Sequence, residues 1–175
     1  MRTLILLLSF ALTSIGVLAE SAAGVQWTAP AGWTTQGPAP MRAATYTIPP
    51  APGDQAGGEC GVYFFGAGQG GSPEANIQRW NGQFTGPEGT PAAATVAKRT
   101  VRGLAMTTLD VSGAYSGMGG PMAGASRAVP GYRLLGTIIE APGGNVFIKL
   151  TRPAKTITAN QQKFELLLAS FQRVK

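Results

Sequence analysis

The stretch Tyr132-Arg133-Leu134-Leu135-Gly136-Thr137-Ile138-Ile139-Glu140-Ala141-Pro142-Gly143-Gly144-Asn145-Val146-Phe147-Ile148-Lys149-Leu150-Thr151 decides how the chain is read. Two runs rich in β-branched and aromatic residues flank a proline-glycine cluster, the pattern of two antiparallel strands joined by a tight turn. Upstream, residues 95–101 and 104–111 repeat the pattern around Arg102-Gly103. Two hairpins in succession call for antiparallel pairing, so the expected class is α+β rather than a doubly wound parallel sheet.

Working outward, residues 25–27 and 41–48 read as strands. The second places Ala44, Tyr46 and Ile48 on one face and Ala43, Thr45 and Thr47 on the other. Residues 60–65, Cys-Gly-Val-Tyr-Phe-Phe, are apolar at successive positions, which predicts a central strand covered on both sides. Ser72-Pro73-Glu74 has the order of cap, first helical residue and acidic first turn, and Ile77, Trp80 and Phe84 follow at helical spacing until Gly86-Pro87. A closing helix is expected from Thr158, paired with Gln161 in a capping-box pattern, with Phe164, Leu167, Leu168 and Phe171 on one stripe. Residues 51–58 and 113–131 read as surface loops.

Composition narrows the function. The 175 residues are 44% hydrophobic and only 13% charged, enough for one domain with a core and too sparsely charged for a disordered chain. There is no histidine, which removes the commonest general base, the usual zinc ligand and the Ser-His and Cys-His pairings. Neither Ser-x-x-Lys nor Gly-x-Ser-x-Gly occurs, and the eight carboxylates are scattered in no calcium-loop spacing. The reading assigns no catalytic residue, no cofactor and no metal.

Arg2, an apolar run from Leu4 to Leu12, and Val17-Leu18-Ala19 before Glu20 have the parts of a cleavable signal peptide. Ser9, Thr13, Ser14 and Gly16 dilute the segment below the roughly 20 apolar residues of a membrane span. The expected organisation is therefore a signal peptide over 1–19 and one globular domain over 20–175, periplasmic or secreted, with no integral membrane segment after cleavage. Loss of Arg2 with the leader leaves 13 basic and 8 acidic side chains, a net +5. That charge suits an envelope protein or an anionic polymer as partner and equally suits solubility, while nucleic acid is excluded for an exported chain. Cys60 is the single cysteine, so no internal disulfide forms, and its apolar neighbours mark it as a small buried hydrophobe.

Three features are candidate sites. Gly66-Ala67-Gly68-Gln69-Gly70-Gly71 fits G-x-G-x-x-G between an expected strand and helix, but the hairpins around it are not a dinucleotide crossover, so it reads as a strand-to-helix connection, with a weaker anion site at the helix start as the alternative. Met118 and Met122, in a glycine-rich loop, offer thioether sulfur of the kind that takes cuprous copper. Lys98, Arg99 and Arg102 form the one basic cluster in the sequence. Alternation sends Lys98 and Arg99 to opposite faces and puts Lys98 with Arg102 on one, as in an edge strand protected by charge, with anionic-ligand contact as the alternative. Trp27, Trp33 and Trp80 read as core anchors.

Trp27-Thr28-Ala29-Pro30-Ala31-Gly32-Trp33, the strand with Tyr46, the helix with Ile77 and Trp80, Gly131-Tyr132-Arg133-Leu134-Leu135-Gly136, Val146-Phe147-Ile148-Lys149-Leu150-Thr151-Arg152-Pro153 and the final Ser170-Phe171 together resemble the PsbP-like α/β/α sandwich. That group includes the photosystem II extrinsic protein PsbP, a nuclear-transport factor that binds the GTPase Ran, and exported bacterial proteins. The resemblance spans about 25–174 and implies an antiparallel sheet with helices on both faces and a non-catalytic role in binding or assembly. It carries over no catalytic residue. The resulting expectation is an exported, non-enzymatic accessory or protein-interaction domain of the cell envelope, working through its loops or an exposed sheet edge. The alternative is a small-ligand or copper-binding protein using the glycine- and methionine-rich loops.

Overall fold

The computed structural model describes residues 19–37, 39–117 and 128–174. Strands β1 (Glu20–Ala22), β2 (Val25–Trp27), β3 (Thr34–Thr35), β4 (Arg42–Ile48) and β5 (Gly58–Phe64) lead to helix α1 (Pro73–Asn81). Strands β6 (Phe84–Thr85), β7 (Ala94–Val101), β8 (Leu104–Tyr115), β9 (Val129–Ala141) and β10 (Gly144–Pro153) follow, then α2 (Ala154–Ala159), α3 (Gln161–Ser170) and β11 (Gln172–Arg173). The main sheet runs β3-β4-β5-β10-β9-β8-β6, with β7 also paired to β8, and a small sheet runs β1-β2-β11. Each of these pairs is antiparallel. The fold is α+β as expected, with α1 on one face of the sheet and α2 and α3 on the other.

Both hairpins form where the turn chemistry places them. The β9–β10 pair registers Ala141 with Gly144 across Pro142-Gly143, and β7–β8 registers Val101 with Leu104. Arg102 (φ 49°) and Gly103 (φ 75°) both adopt the left-handed conformation that a two-residue turn of this twist requires. Strand β7 is exposed over nearly its whole length and pairs only with β8, so it is an edge strand.

Side-chain alternation divides the core in two. On the α3 face, Tyr46, Val62, Met106, Ile139, Ile148 and Leu150 pack with Phe164, Leu167, Leu168 and Phe171. Trp27 stacks on Phe171 at 4.9 Å and donates its indole N–H to the Tyr46 hydroxyl at 2.8 Å and to Glu20 Oε2 at 3.0 Å, so a buried indole keeps polar partners. Cys60 is fully buried on this face, and burial pushes its thiol pKa up, as befits a packing residue. On the α1 face, Ile77, Trp80 and Phe84 pack on Leu109, Leu134, Ile138 and Phe147. Here Trp80 lies against Gly136 of β9, where a Cβ would sit 2.7 Å from the indole ring. A glycine in a central strand is otherwise a weak choice, and its use is to let the ring meet the backbone.

Four expectations are corrected. Strand β5 is covered by helix on the α3 face only, because α1 packs on β8 and β9 and leaves Glu59 and Tyr63 partly open. Helix α1 stops at Asn81, with Gly82 donating to Gln78 O at 2.9 Å, so Phe84 reaches the same core from strand β6. The closing helix begins at Ala154 and breaks at Asn160. Thr158 is no cap: its hydroxyl donates to Ala154 O at 2.7 Å within α2. The N-terminus of α2 is instead satisfied from far away, by Asp54 Oδ2 accepting the Thr156 N–H at 2.9 Å, which ties the 51–58 loop to the helix. Finally, the 113–131 segment is strand up to Tyr115 and again from Val129, and residues 118–127 lie outside the described residues.

Replacing Gly136 with alanine should therefore lower stability by about 1–3 kcal/mol, the usual cost of forcing extra volume into a packed contact. Urea unfolding of the two proteins checks it, and an unchanged midpoint would mean that Trp80 moves aside freely.

Candidate functional site

Because α1 covers only part of its face, the sheet leaves an open floor made by β4, β5 and the end of β10. Alternation brings Arg42, Thr45 and Thr47 of β4, Glu59 and Tyr63 of β5, and Phe147, Lys149 and Thr151 of β10 onto it. At the border with α1 lies a hollow of about 110 Å³ lined by Tyr63, Phe65, Arg79, Trp80, Phe147 and Lys149. Its aromatic walls are braced against one another: Trp80 meets Phe147 edge to face at 6.5 Å, and Phe65 sits 5.5 Å from Phe147 and 6.2 Å from Tyr63. Phe65 is 38% exposed, unusual for a large apolar side chain in a braced cluster.

Two cations face this hollow. The Lys149 ammonium stands 5.5 Å over the Trp80 ring and donates to Gln83 Oε1 at 3.2 Å. Burial, reinforced by the nearby Arg79 charge, lowers its pKa from the ordinary 10.5 to about 8. Arg79, in the last turn of α1, donates to Asn76 Oδ1. Neither cation has an ion-pair partner among the described residues.

Beyond Tyr63 the floor continues with Arg42, whose guanidinium lies 5.2 Å over the Tyr63 ring and bonds Glu59 Oε1 at 2.9 Å. Arg152 reaches the same carboxylate at 3.4 Å from a backbone with φ 138°, a strained value for arginine that interrupts the alternation of β10. Burial raises the Tyr63 hydroxyl pKa despite Arg42, and burial raises that of Tyr115, which stacks on Tyr132 at 5.7 Å. Of the four cations Arg42, Arg79, Lys149 and Arg152, Arg42 and Arg152 share the Glu59 carboxylate, while Arg79 and Lys149 have no carboxylate among the described residues. The opposite edge of the floor opens into a broad depression of about 440 Å³ beside Pro49 and Pro50, whose only charged groups are the Glu59–Arg152 pair.

The residues singled out from sequence fare differently. Lys98 pairs with Glu74 of α1 at 3.0 Å and Arg99 with Glu165 of α3 at 2.6 Å, which places them on opposite faces as expected. Arg102 does not share a face with Lys98. It occupies the β7–β8 turn and donates to Gln172 of β11 at 3.0 Å, so the sequence cluster is dispersed and each member is already engaged. Met118 and Met122 lie outside the described residues. The 66–71 segment is a strand-to-helix connection whose carbonyls are bonded down: Asn76 Nδ2 donates to Gly70 O at 2.8 Å and Asn145 Nδ2 to Gly71 O at 3.3 Å. Gly70 combines φ 86° with a position where a Cβ would strike Phe147 at 2.6 Å, so glycine here serves the packing of the hollow. Sequence reasoning missed Arg42, Arg79, Lys149 and Arg152 because they come from three elements that only the fold brings together. One signal was present: Lys149 interrupts Val146-Phe147-Ile148 and Leu150 in a strand otherwise apolar on both sides.

No protein-family model matches the chain, and no curated protein does. Among solved structures, cyanobacterial PsbP (CyanoP) from Synechocystis sp. PCC 6803 superposes over 96% of this chain and 99% of its own, with TM-score 0.55 and 14% identity. The fold is PsbP-like. A Pseudomonas aeruginosa protein of unknown function aligns over 90% of this chain and 97% of its own, with TM-score 0.49 and 13% identity. At 14% identity the likeness to CyanoP speaks for the PsbP-like fold alone, the antiparallel sheet with helices on both faces.

The lowered pKa of Lys149 has a consequence for stability. Between about pH 8 and 10.5 an unfolded lysine holds a proton that folded Lys149 has lost, so this group's contribution to stability rises with pH across that window. Below pH 8 both states are charged and its burial penalty is fully present. The Lys149→Met variant, free of that penalty, should exceed the parent most below pH 8, with the gap narrowing between about pH 8 and 10.5. Urea midpoints along a pH series report it, and a gap independent of pH would contradict the assignment.

Proposed function

We propose that the chain is an exported accessory domain of the cell envelope that works by binding rather than by catalysis, its partner an envelope protein or an anionic polymer. Export rests on residues 1–19: Arg2, the apolar run to Leu12 and Val17-Leu18-Ala19 form the leader, and strand β1 begins at the next residue, Glu20. Among the described residues, no helix is long and apolar enough to cross a membrane. The observation that carries the binding role is the pair Lys149 and Arg79, two cations without a carboxylate where α1 borders the open sheet face, beside the exposed Phe65 ring and the half-buried Tyr63 ring. Charges held in this way favour a partner that supplies the missing negative group.

This reading moves the contact surface. The basic edge of β7 meets its own acids, Glu74 and Glu165, and so has little charge left to offer. The sheet floor and the adjoining end of α1 hold four cations, of which Arg42 and Arg152 bond Glu59 while Lys149 and Arg79 have no carboxylate, and this is the stronger surface.

Crosslinking capture from the native envelope fraction, using the tagged mature chain and its Arg79→Gln/Lys149→Gln variant, tests it. One partner should be enriched by the parent, released by high salt, and strongly reduced with the double variant. Equal capture by both proteins, or turnover of a substrate abolished by a point mutation that leaves the fold intact, would overturn the reading.

A further inference from the structure

We infer that the Trp80 hollow is a recognition site for a carboxylate carried on a compact apolar body of about benzoate size. The inference rests on the binding role proposed for this face and specifies its ligand chemistry.

Size comes first. The hollow, about 110 Å³, is well below the roughly 300 Å³ at which drug-sized ligand pockets begin. It approaches the roughly 150 Å³ of a cavity that holds benzene. A single ring or a short branched aliphatic group fills it. Anything longer continues past Phe65 and Arg79 into an adjoining open groove of about 420 Å³ that also borders Met41, Phe64, Gln69 and Gly70.

Chemistry then selects the charge. Tyr63, Phe65, Trp80 and Phe147 provide apolar walls on several sides, which favours a flat or branched apolar body. Lys149 and Arg79 border the same space, and a cationic ligand would meet two like charges there. A neutral ligand would displace water from Lys149 while leaving its charge unpaired, which is costly in a desolvated place. A monoanion accepts from both cations. A carboxylate does so with two oxygens in one plane, and it needs fewer donors than a phosphate dianion would to offset its desolvation. Gln83 holds Lys149 from the side, so the ammonium retains further donors for the ligand.

The probe is benzoate, titrated into the mature chain by calorimetry and by heteronuclear NMR, with acetate, benzyl alcohol and benzylamine as comparisons. Benzoate should bind saturably, shift the ring resonances of Trp80, Tyr63 and Phe65, and bind more tightly than each comparison compound. Lys149→Met and Arg79→Gln should each weaken it by about tenfold, the effect of losing one charge-assisted hydrogen bond. Arg79 is exposed on α1, so its variant keeps the fold and tests the site independently of Lys149→Met. Lys98→Gln, which only breaks the exposed Glu74 pair, should leave benzoate affinity unchanged. Absence of saturable binding, equal affinity for acetate or benzyl alcohol, or full affinity in both site variants would overturn the inference. If benzoate fails while the double variant still loses its envelope partner, the ligand class falls and the binding role of the face stands. If benzoate behaves as expected and partner capture is unaffected by the variants, the partner-docking role falls instead.

Discussion

The contact between Trp80 and Gly136 organises both the α1 layer and the site. With no side chain on Gly136, the indole rests on the strand itself, which sets how close α1 lies to the sheet. The ring then serves two neighbours at once, presenting its face to the Lys149 ammonium and meeting Phe147 edge to face. Phe147 in turn excludes a side chain at Gly70, so the loop entering α1 is shaped by the same cluster. Packing and the walls of the hollow thus share a set of atoms, Trp80 and Phe147.

The distribution of charge follows from which face each strand residue lands on. Lys98 and Arg99 are neighbours in sequence, yet the pleat sends them to helices on opposite layers, where Glu74 and Glu165 meet them. Such exposed pairs stabilise little, but they do neutralise the edge and discourage strand addition. Arg133 finds Asp110 at 2.6 Å and also donates to Thr158 and Gln161, joining β8, β9 and the two closing helices. Arg79 and Lys149 have no carboxylate partner of this kind, and burial lowers the Lys149 pKa to about 8 while leaving it a cation below that pH.

Much of the fold was legible because local rules and tertiary packing agreed. The turn residues of both hairpins, the Ser72-Pro73-Glu74 start of α1, and the alternation of β4 are dictated by nearest neighbours. What was not legible depends on distant partners. Helix α2 starts without a side-chain cap from its own sequence because Asp54 supplies one across 102 residues, and the break at Asn160 reflects Trp33 donating to its Oδ1 at 3.1 Å while its amide holds Thr156 O. Phe84 keeps helical spacing with Ile77 and Trp80, yet it reaches the same core from a strand. The site was harder still. Arg42, Arg79, Lys149 and Arg152 come from three elements and look unremarkable one by one, whereas Lys98, Arg99 and Arg102 draw the eye by adjacency and turn out to be engaged elsewhere.

The central claim is that the two cations at the hollow are held for a carboxylate. Its most direct test is a crystal structure of the mature chain grown with 4-bromobenzoate, with diffraction measured at the bromine edge. The account predicts one anomalous peak at the mouth of the hollow beside Phe65, and carboxylate oxygens within hydrogen-bond distance of Lys149 Nζ and the Arg79 guanidinium. Bromine located elsewhere, or a ligand in the hollow with its carboxylate turned away from both cations, would contradict it.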